Sequence, residues 1–355
     1  MPSHWSAGLG GSEVQVRYIM AYMRRWTEHE LSMICRNTKM SVEHGVPISR
    51  TSPLWPFGRY FKAADYISVR KLLRRLKPDV VYARRGTPLV GFAAEYCRRF
   101  DKRLVFHIAA VEDVVRPRFR AIDSIPKRLE RPLYEYGLRR ADVIVAQANY
   151  QTALLQQNYG LACSAVLPNF HPVPASVEKE VNTRTVLWVA NIKSVKRPEI
   201  FVNLARKCES IENTEFVMIG AIQDRRYRGI LKEASELSNF RYLGPQPLEA
   251  VNRHLELGHL LVNTSREEGF PNTFIQAWLR GVPVVSLEVD PDEMLMEHGM
   301  GICCDGSLDQ LATTVKALLE NSDKLRSLAS NVRAIAMDMY SERNCESLVK
   351  LIVNA

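Results

Sequence analysis

Residues 265–286 read Ser-Arg-Glu-Glu-Gly-Phe-Pro-Asn-Thr-Phe-Ile-Gln-Ala-Trp-Leu-Arg-Gly-Val-Pro-Val-Val-Ser. The short apolar stretch 260–263 before them predicts a buried strand. Pro271 suits the first position of a helix, where its missing N–H costs nothing, and Gly281 suits the position just after the helix end. Residues 282–286 predict the next strand. The segment therefore predicts one βαβ unit with an acidic glycine turn before its helix.

This segment combines backbone N–H groups that attract an anion with a carboxylate that repels one. The backbone N–H groups of residues 270–272 would point out of the sheet edge beside Glu268. A helix N-terminus attracts phosphate, whereas a carboxylate next to it repels one. Both features suit a ligand that carries phosphate and also hydroxyl groups, as a nucleotide sugar does. An ordinary βα turn with surface acids accounts for the same residues, and the segment alone does not separate the two interpretations.

The chain has 355 residues, which suits two domains that each bury a core. Strand and helix patterns alternate along residues 1–170 and again along 185–338, with a proline-containing polar linker over 171–184. A C-terminal helix over 339–355 can pack back on the first domain. The alternation predicts an α/β protein with two doubly wound, Rossmann-like domains that face each other across a cleft.

The N-terminal domain begins with a glycine-rich segment. Gly10 and Gly11 precede a helix predicted to begin at Ser12, which forms a capping-box pattern with Gln15. Glycines at a helix start let the backbone approach a ligand closely, although a simple glycine turn explains them too. No strand pattern is present in residues 1–7, so the first strand of this domain is expected to be missing.

Three further stretches of this domain bear on structure or function. Residues 45–62 are rich in proline, glycine and aromatic residues and are expected to form an irregular surface loop. His107 ends a predicted strand, at the edge where open α/β sheets bind ligands, although a lone histidine is more often structural. Segment 114–140 is basic and partly amphipathic, which suits either a membrane-surface contact or a helix packed on the domain.

The charge of the chain is unevenly distributed. The net charge is +9, but residues 50–140 hold 22 Lys and Arg against 9 Asp and Glu, a net of +13. The remainder holds 26 against 30, a net of −4. Such a local excess predicts an anionic partner for the first domain, such as nucleic acid, a membrane surface or a phosphorylated substrate. A solvated arginine-rich surface is the alternative.

The seven cysteines are scattered, none form a Cys-x-x-Cys pair, and no histidines cluster at ligand spacing. This predicts reduced thiols in a cytoplasmic protein without structural zinc. No run of 18 apolar residues predicts a membrane span, and no signal-peptide pattern is present. The Asp-x-Asp pattern at Asp290 and Asp292 follows a strand and is expected to form a turn, so no metal site is expected.

Six motifs in order resemble the retaining glycosyltransferases of family 4 (glycosyl transferases group 1), which have the GT-B fold of two facing Rossmann-like domains. The resemblance covers most of the chain. Each motif is weak alone, but their order and spacing are specific. The motifs are Gly10-Gly-Ser-Glu13, His107 after its strand, Val166-Leu-Pro-Asn169, Trp188-Val-Ala-Asn-Ile-Lys-Ser-Val-Lys196, Glu268-Gly-Phe-Pro-Asn272 and Gly281-Val-Pro-Val-Val285.

The resemblance implies roles for individual residues. Glu268 matches the first of the family's paired acids, beside the donor sugar, and His107 matches a histidine near the transferred sugar. Lys196 matches the lysine that neutralises the diphosphate. Gly10 and Gly11 match the loop that closes over the phosphates from the first domain. The backbone segment under the sugar and diphosphate corresponds to Gly269, Phe270, Pro271 and Asn272.

Three departures from the family pattern concern the donor and the first domain. Gln276 stands where the family has its second glutamate, which holds the ribose hydroxyls. An amide loses the charge-assisted part of that bond, on the order of 1 kcal/mol, so weaker or altered nucleotide recognition is expected. Asn191 stands where the family has an arginine, which leaves one phosphate charge unmatched unless Lys193 or Arg197 substitutes. The third departure is the missing first strand.

The resemblance implies transfer of a sugar, with retained configuration, from a nucleotide diphosphate sugar to a hydroxyl of a glycan or lipid-linked acceptor. Surface polysaccharide or glycolipid biosynthesis is the expected setting. No cofactor besides this donor substrate, and no metal, is expected. The basic 50–140 region would face an anionic acceptor or membrane. The protein is expected in the cytoplasm, and a peripheral position on the inner face of the cytoplasmic membrane is left open.

Other functions stay open at this point. A GT-B sugar phosphorylase would use inorganic phosphate in place of a nucleotide. A catalytically impaired GT-B scaffold would account for Gln276, Asn191 and the missing strand. A nucleic-acid-binding protein would account for the basic half, but the sequence has no recognition motif or stacking platform, so no nucleic acid partner is expected.

Overall fold

The computed structural model divides the chain into two compact units. The first contains Met1–Phe170 and Arg343–Ala355, and the second contains His171–Glu342. The structure describes residues 11–36, 38, 41–52, 62–116, 125–174, 179 and 183–354. The strand predicted to be missing, and Gly10, fall outside the described residues.

The first unit alternates strands and helices, as the sequence predicts. Its helices before the linker are α1 (Gly11–Trp26), α2 (Tyr66–Leu76), α3 (Pro88–Phe100), α4 (Val111–Val114), α5 (Ile125–Leu138) and α6 (Asn149–Tyr159). Its strands are β1 (Met33–Cys35), β2 (Val42–Glu43), β3 (Val46–Arg50), β4 (Val80–Arg84), β5 (Arg103–His107), β6 (Val143–Ala146) and β7 (Ala165–Val166).

The described strands of the first unit form two sheets. Strands β4, β5, β6 and β7 pair in parallel in that order. In the second sheet β3 pairs in parallel with β1 and antiparallel with β2. Arg84 at the end of β4 and His107 at the end of β5 are register partners. The topology therefore places both side chains at the carboxyl edge of the sheet, where α/β proteins bind ligands.

The irregular loop predicted over 45–62 is wrong in its first part, which is strand β3. Val46 and Ile48 are buried, whereas Pro47 between them is exposed. This is the two-residue period of a half-buried strand. The prolines, glycines and aromatic residues around it hid the period in the sequence. Residues 53–61 of the predicted loop lie outside the described part of the chain.

Helices α3 and α5 pack against each other through two glycines. A Cβ atom on Gly91 would lie 2.2 Å from the carbonyl oxygen of Leu133, and one on Gly137 would lie 2.5 Å from the carbonyl carbon of Val90. The two backbones approach so closely that only glycine fits at these positions. α5, within the basic segment 114–140, is therefore packed on the domain, and membrane contact by this segment stays a prediction.

The second unit has the strands β8 (Arg184–Val189), β9 (Thr214–Ile219), β10 (Phe240–Tyr242), β11 (Leu260–Asn263), β12 (Val284–Ser286) and β13 (Gly301–Cys303). Its helices are α7 (Pro198–Lys207), α8 (Arg228–Ala234), α9 (Leu248–Leu257), α10 (Asn272–Trp278), α11 (Leu308–Glu320) and α12 (Ser322–Met339). The strands form a parallel sheet in the order β10–β9–β8–β11–β12–β13. The ends of β8 and β11 are therefore neighbours.

The last helix, α13 (Arg343–Asn354), belongs to the first unit. Its buried residues share one core cluster with α1 and with strands β5 and β6. The members from α13 are Cys345, Leu348, Val349 and Ile352. Within the described part of the chain, no helix has both the length and the apolar character needed to cross a membrane.

The capping box predicted for α1 is wrong, because the helix already begins at Gly11. The Gln15 side chain instead donates to the carbonyl oxygen of Phe170 at 2.9 Å and accepts from its N–H at 3.3 Å. The Ser12 hydroxyl donates to Glu13 at 2.7 Å. Gln15 thus attaches α1 to the segment after β7, a long-range contact that the local pattern did not indicate.

Candidate functional site

Two loops at the carboxyl end of the six-stranded sheet in the second unit are hydrogen-bonded to each other. One loop follows β8 and contains the 3-10 turn Ser194–Lys196, and the other follows β11. The Thr264 hydroxyl donates to the carbonyl oxygen of Lys196 at 2.6 Å, and the Arg266 N–H donates to that of Val195 at 3.0 Å. Because β8 and β11 are adjacent strands, these bonds hold the lysine of one loop against the carboxylate of the other.

Lys196 and Glu268 form the central pair of this site. Lys196 Nζ donates to Glu268 Oε1, and the same oxygen accepts from the Ser265 hydroxyl at 2.8 Å. The two charged side chains are 15% and 18% exposed. A pair so far removed from water is costly to break, because separation leaves an uncompensated charge. The residues that the sequence assigns to the diphosphate and to the sugar therefore lie in direct contact.

Arg197, next to the central lysine, has a structural role. Its backbone lies in the left-handed region, with φ of +46°. Its guanidinium donates to three oxygens, Thr264 O at 2.6 Å, Ser265 O at 3.1 Å and Glu288 Oε1 at 2.6 Å. These bonds keep it from replacing the phosphate charge that is missing at Asn191. Lys193, exposed in the same loop, is the residue that can still do so.

The helix after the acidic turn is shorter than predicted. The helix expected over 271–280 is α10 (Asn272–Trp278), which has seven residues, with Pro271 as its N-cap. Gly281 has φ of +62° and closes the helix as predicted. The closing bonds run from Gly281 N to Trp278 O and from Val282 N to Ala277 O, each 2.9 Å. A helix of two turns offers a phosphate its free N–H groups rather than a long aligned dipole.

The Phe270 side chain belongs to the hydrophobic core. Its ring lies 5.7 Å from that of Tyr340 and 6.4 Å from that of Trp278, and the residue is 7% exposed. Only the backbone of Phe270 is therefore available to a ligand. Gly269 before it is half-buried and has no side chain to cover that backbone.

Gln276, the main departure from the family pattern, is 5% exposed within α10. Its amide donates to Asn252 Oδ1 in α9 at 2.9 Å. Arg280 donates to the carbonyl oxygen of Gln276 at 3.2 Å and to Glu256 at 3.2 Å, which also connects α10 to α9. A ribose contact by Gln276 would therefore use the amide oxygen.

His171 is a buried site residue that the sequence did not single out. It is 1% exposed, and its side chain is hydrogen-bonded to Asn272 at the start of α10. Burial, together with the charge of Arg280, lowers the pKa of His171 to about 3. A neutral imidazole thus fixes Asn272 in place. The sequence gives no signal for this, because a histidine in a linker forms no local pattern with a residue 101 positions later.

In the first unit, His107 is at the end of β5 and is 2% exposed. Its Nδ1 lies 2.8 Å from the Tyr82 hydroxyl and 3.1 Å from Arg84 Nη1. Arg84 Nη2 donates to Asn169 Oδ1 at 2.5 Å. Burial, and then the charge of Arg84, lower the pKa of His107 well below its usual value. The ring is therefore neutral at physiological pH.

The predicted residues thus fall into two groups. Lys196, Glu268 and the segment 269–272 lie together in the second unit, whereas His107 lies in the first. Gly11 is the exposed first residue of α1, also in the first unit. The contact of Gly10 and Gly11 with the phosphates stays a prediction.

Two family models match the chain. The model for Glycosyltransferase Family 4 matches residues 9–172, and the model for Glycosyl transferases group 1 matches residues 183–321. The chain belongs to the family 4 glycosyltransferases. The first matched range ends at residue 172, close to the point after Phe170 where the two compact units divide, and the second begins at residue 183.

Solved GT-B glycosyltransferases have the same fold. HepE of Anabaena in complex with UDP-glucose has a TM-score of 0.77 and 18% identity, over 98% of this chain and 97% of HepE. WaaG, a glycosyltransferase involved in lipopolysaccharide biosynthesis, has a TM-score of 0.76 and 16% identity, over 100% and 99% of the two chains. No curated protein matches the sequence significantly. At these identities the likeness shows the fold, and the predicted GT-B fold is confirmed.

Proposed function

We propose that this glycosyltransferase moves a sugar, with retained configuration, from a nucleoside diphosphate sugar to a hydroxyl of a glycan or lipid-linked acceptor. The contact between Lys196 and Glu268 supports this best. An ammonium group beside a carboxylate suits a ligand with a negative diphosphate next to neutral hydroxyl groups. The UDP-glucose bound to HepE, which has the same fold, supports a donor of this class.

Binding of the donor would exchange one set of contacts for another. Lys196 would turn from Glu268 to the diphosphate, and the released carboxylate, still held by Ser265, would accept hydrogen bonds from sugar hydroxyls. As the bond between the sugar and the diphosphate breaks, negative charge grows on the leaving phosphate. Lys196 and the backbone N–H groups near Asn272 would stabilise that charge, which is the effect that dominates in such sites.

The surroundings of Glu268 bear on how the configuration would be retained. Double displacement needs a nucleophilic carboxylate paired with a second one about 5 Å away. Within the described residues, the side-chain bonds of Glu268 are with Lys196 and Ser265, and neither supplies a second acid. We therefore propose attack on the same face that the diphosphate leaves. Lys196 supplies the positive charge for that leaving group, so we propose that no divalent metal is required.

Anomeric analysis tests this reaction. A thermal-shift screen of nucleotide sugars identifies the donor, because a bound ligand stabilises the folded chain by mass action. Transfer from an α-linked donor should then give an α-linked product, read from the anomeric NMR coupling, and EDTA should leave the rate unchanged. A β-linked product would contradict retention. Formation of sugar phosphate from a disaccharide and inorganic phosphate, without any nucleotide, would indicate a phosphorylase.

Replacing Gln276 by glutamate should tighten nucleotide binding. The carboxylate restores a charge-assisted bond to the ribose, of about 1 kcal/mol or roughly 5-fold in Kd. Asn252 can turn its amide to donate to the new carboxylate, so the contact with α9 persists. Calorimetry with the nucleoside diphosphate measures the change. Asn252→Ala is the control, since it frees Gln276 without adding charge, and a Gln276→Glu variant that binds no better would remove the ribose assignment.

We further propose that the anionic acceptor, or the membrane that carries it, contacts the first unit at a crevice between α2 and α3. The crevice is lined by Arg70, Arg74, Phe92, Glu95, Tyr96, Arg99 and Phe100. Three arginines against one glutamate favour an anionic group. Phe100 at the crevice is 42% exposed and Ile67 on α2 is 44% exposed, which adds the apolar surface typical of membrane interfaces.

Neutralising this crevice should weaken membrane binding. The double variant Arg74→Gln/Arg99→Gln removes two exposed charges, each worth about 1 kcal/mol near an anionic surface, so affinity should fall about 10- to 30-fold. Co-sedimentation with phosphatidylserine vesicles measures it. The matched control is Lys232→Gln/Lys324→Gln, which removes two exposed charges from the second unit. Equal losses in the two variants would mean that net charge, and not the crevice, carries the binding.

A further inference from the structure

The two ring nitrogens of His107 have opposite surroundings. Nδ1 faces the Tyr82 hydroxyl and the Arg84 guanidinium. Nε2 is buried and has no hydrogen-bond partner within the described part of the chain. We propose that Arg84 is a positioning residue that fixes His107 as the neutral tautomer with its proton on Nε2. His107 then offers a ligand oxygen one hydrogen-bond donor and cannot act as a base.

The tautomer of His107 follows from which groups around Nδ1 can accept a hydrogen bond. A guanidinium has five N–H donors and no acceptor. Arg84 Nη1 lies 3.1 Å from His107 Nδ1, so a proton on Nδ1 would set two donors, one of them cationic, against each other. The Tyr82 hydroxyl can donate or accept a hydrogen bond, so by itself it does not select a tautomer of His107. With Arg84 in place it accepts from Nη1 at 3.2 Å and gives its own proton to Nδ1.

Arg84 is held in this position by a buried chain of amides. Its Nη2 donates to Asn169 Oδ1, which turns the Asn169 amide so that Nδ2 donates to Gln147 Oε1 at 2.8 Å. The Gln147 amide in turn donates to the carbonyl oxygen of Ile108 at 2.5 Å. Each acceptor in this series of hydrogen bonds faces a donor, so the direction of every bond is fixed from the Ile108 carbonyl to the His107 imidazole. Asn169 thereby connects the Val166–Asn169 motif to His107.

The inference rests on the proposed function only for the identity of the ligand. The chemistry of Nε2–H suits a sugar hydroxyl or another neutral oxygen that accepts a hydrogen bond. The same tautomer excludes His107 as the group that removes the proton of the acceptor hydroxyl. Its Nδ1 is occupied by two donors, and burial beside a cation keeps the ring from gaining a second proton.

Long-range ¹H–¹⁵N NMR of histidine-labelled protein measures the tautomer in the absence of any nucleotide sugar. The chain has eight histidines, so His107→Gln identifies the signal. The wild type should show Nδ1 as the unprotonated and Nε2 as the protonated nitrogen, unchanged from roughly pH 5.5 to 8. A proton on Nδ1, or titration in that range, would overturn the proposal whatever the protein is found to bind.

Three variants separate positioning from mere packing. Tyr82→Phe leaves the arginine contact and should keep the Nε2–H tautomer. Arg84→Met leaves the ambivalent hydroxyl and should give a mixture, while Arg84→Lys should restore the single tautomer. A single Nε2–H form in Arg84→Met would contradict the role of Arg84. If Arg84→Met does not fold, the wild-type and Arg84→Lys spectra test the proposal, and both should show the single Nε2–H tautomer. An intact tautomer with no nucleotide sugar bound would reject the proposed function alone.

Discussion

Replacing Glu268 by glutamine should reduce kcat/KM for sugar transfer about 100- to 1000-fold. The carboxylate is proposed to hold the hydroxyls of the sugar as the bond to the diphosphate breaks, and removal of one such fixed group costs roughly 3–4 kcal/mol in measured enzymes. Glutamine has the same size and can keep a contact with Ser265. The loss of kcat/KM therefore reflects the missing charge of the carboxylate and not a change of side-chain shape. Steady-state kinetics with the donor from the thermal-shift screen measures the effect.

Binding of the bare nucleoside diphosphate should respond in the opposite direction. Glu268→Gln releases Lys196 from its ion pair, so a diphosphate without a sugar should bind as well or better. Glu267→Gln is the matched control, since it removes the same charge from the neighbouring exposed residue and should leave turnover within about 2-fold. Wild-type turnover by Glu268→Gln would exclude the carboxylate from the sugar site.

Replacing Lys196 by methionine should weaken nucleoside diphosphate binding about 10- to 100-fold. A charge-assisted hydrogen bond to a phosphate contributes about 1.5–3 kcal/mol, and Arg197 is too firmly held by backbone oxygens to compensate. The rate of transfer should fall as well, because the charge on the leaving phosphate is greatest when the bond breaks. Calorimetry gives the first effect and steady-state kinetics the second.

Loss of the lysine also leaves Glu268 unpaired at 18% exposure, so Lys196→Met should be less stable than the wild type. A thermal melt of both proteins without nucleotide separates this effect from binding. Lys207→Met, at the exposed far end of α7, serves as the control for loss of one positive charge. An unchanged Kd for the nucleoside diphosphate in Lys196→Met would remove the lysine from the phosphate site.

Most of the fold followed from local patterns. Each strand of the six-stranded sheet except β13 was predicted from a short, largely apolar run. Gly281 marked the end of α10 because only a residue tolerant of positive φ fits there. Strand β3 was missed because prolines masked its alternation. The capping box at Ser12 was wrong because Gln15 bonds to Phe170, and local spacing carries no information about a partner 155 residues away.

The sequence predicted the main residues of the candidate site but not the hydrogen bonds that orient them. Lys196, Glu268 and His107 stand in recognisable motifs. Residues outside those motifs make bonds that orient motif residues: Arg84 bonds to His107, the Ser265 hydroxyl to Glu268, and His171 to Asn272. Arg84 and His171 act through tertiary contacts, which a single sequence does not reveal, and Arg84 in β4 looks like one more charge in a basic region.

The central claim is that Lys196 binds the diphosphate and Glu268 binds the sugar of the same nucleotide sugar. Calorimetry of two ligands with three proteins tests this claim most directly. The ligands are the nucleoside diphosphate and the nucleotide sugar that stabilise the protein most, and the proteins are the wild type, Lys196→Met and Glu268→Gln. Lys196→Met should weaken the binding of both ligands, and Glu268→Gln should weaken the binding of the nucleotide sugar only. Equal affinities across the three proteins would contradict the claim.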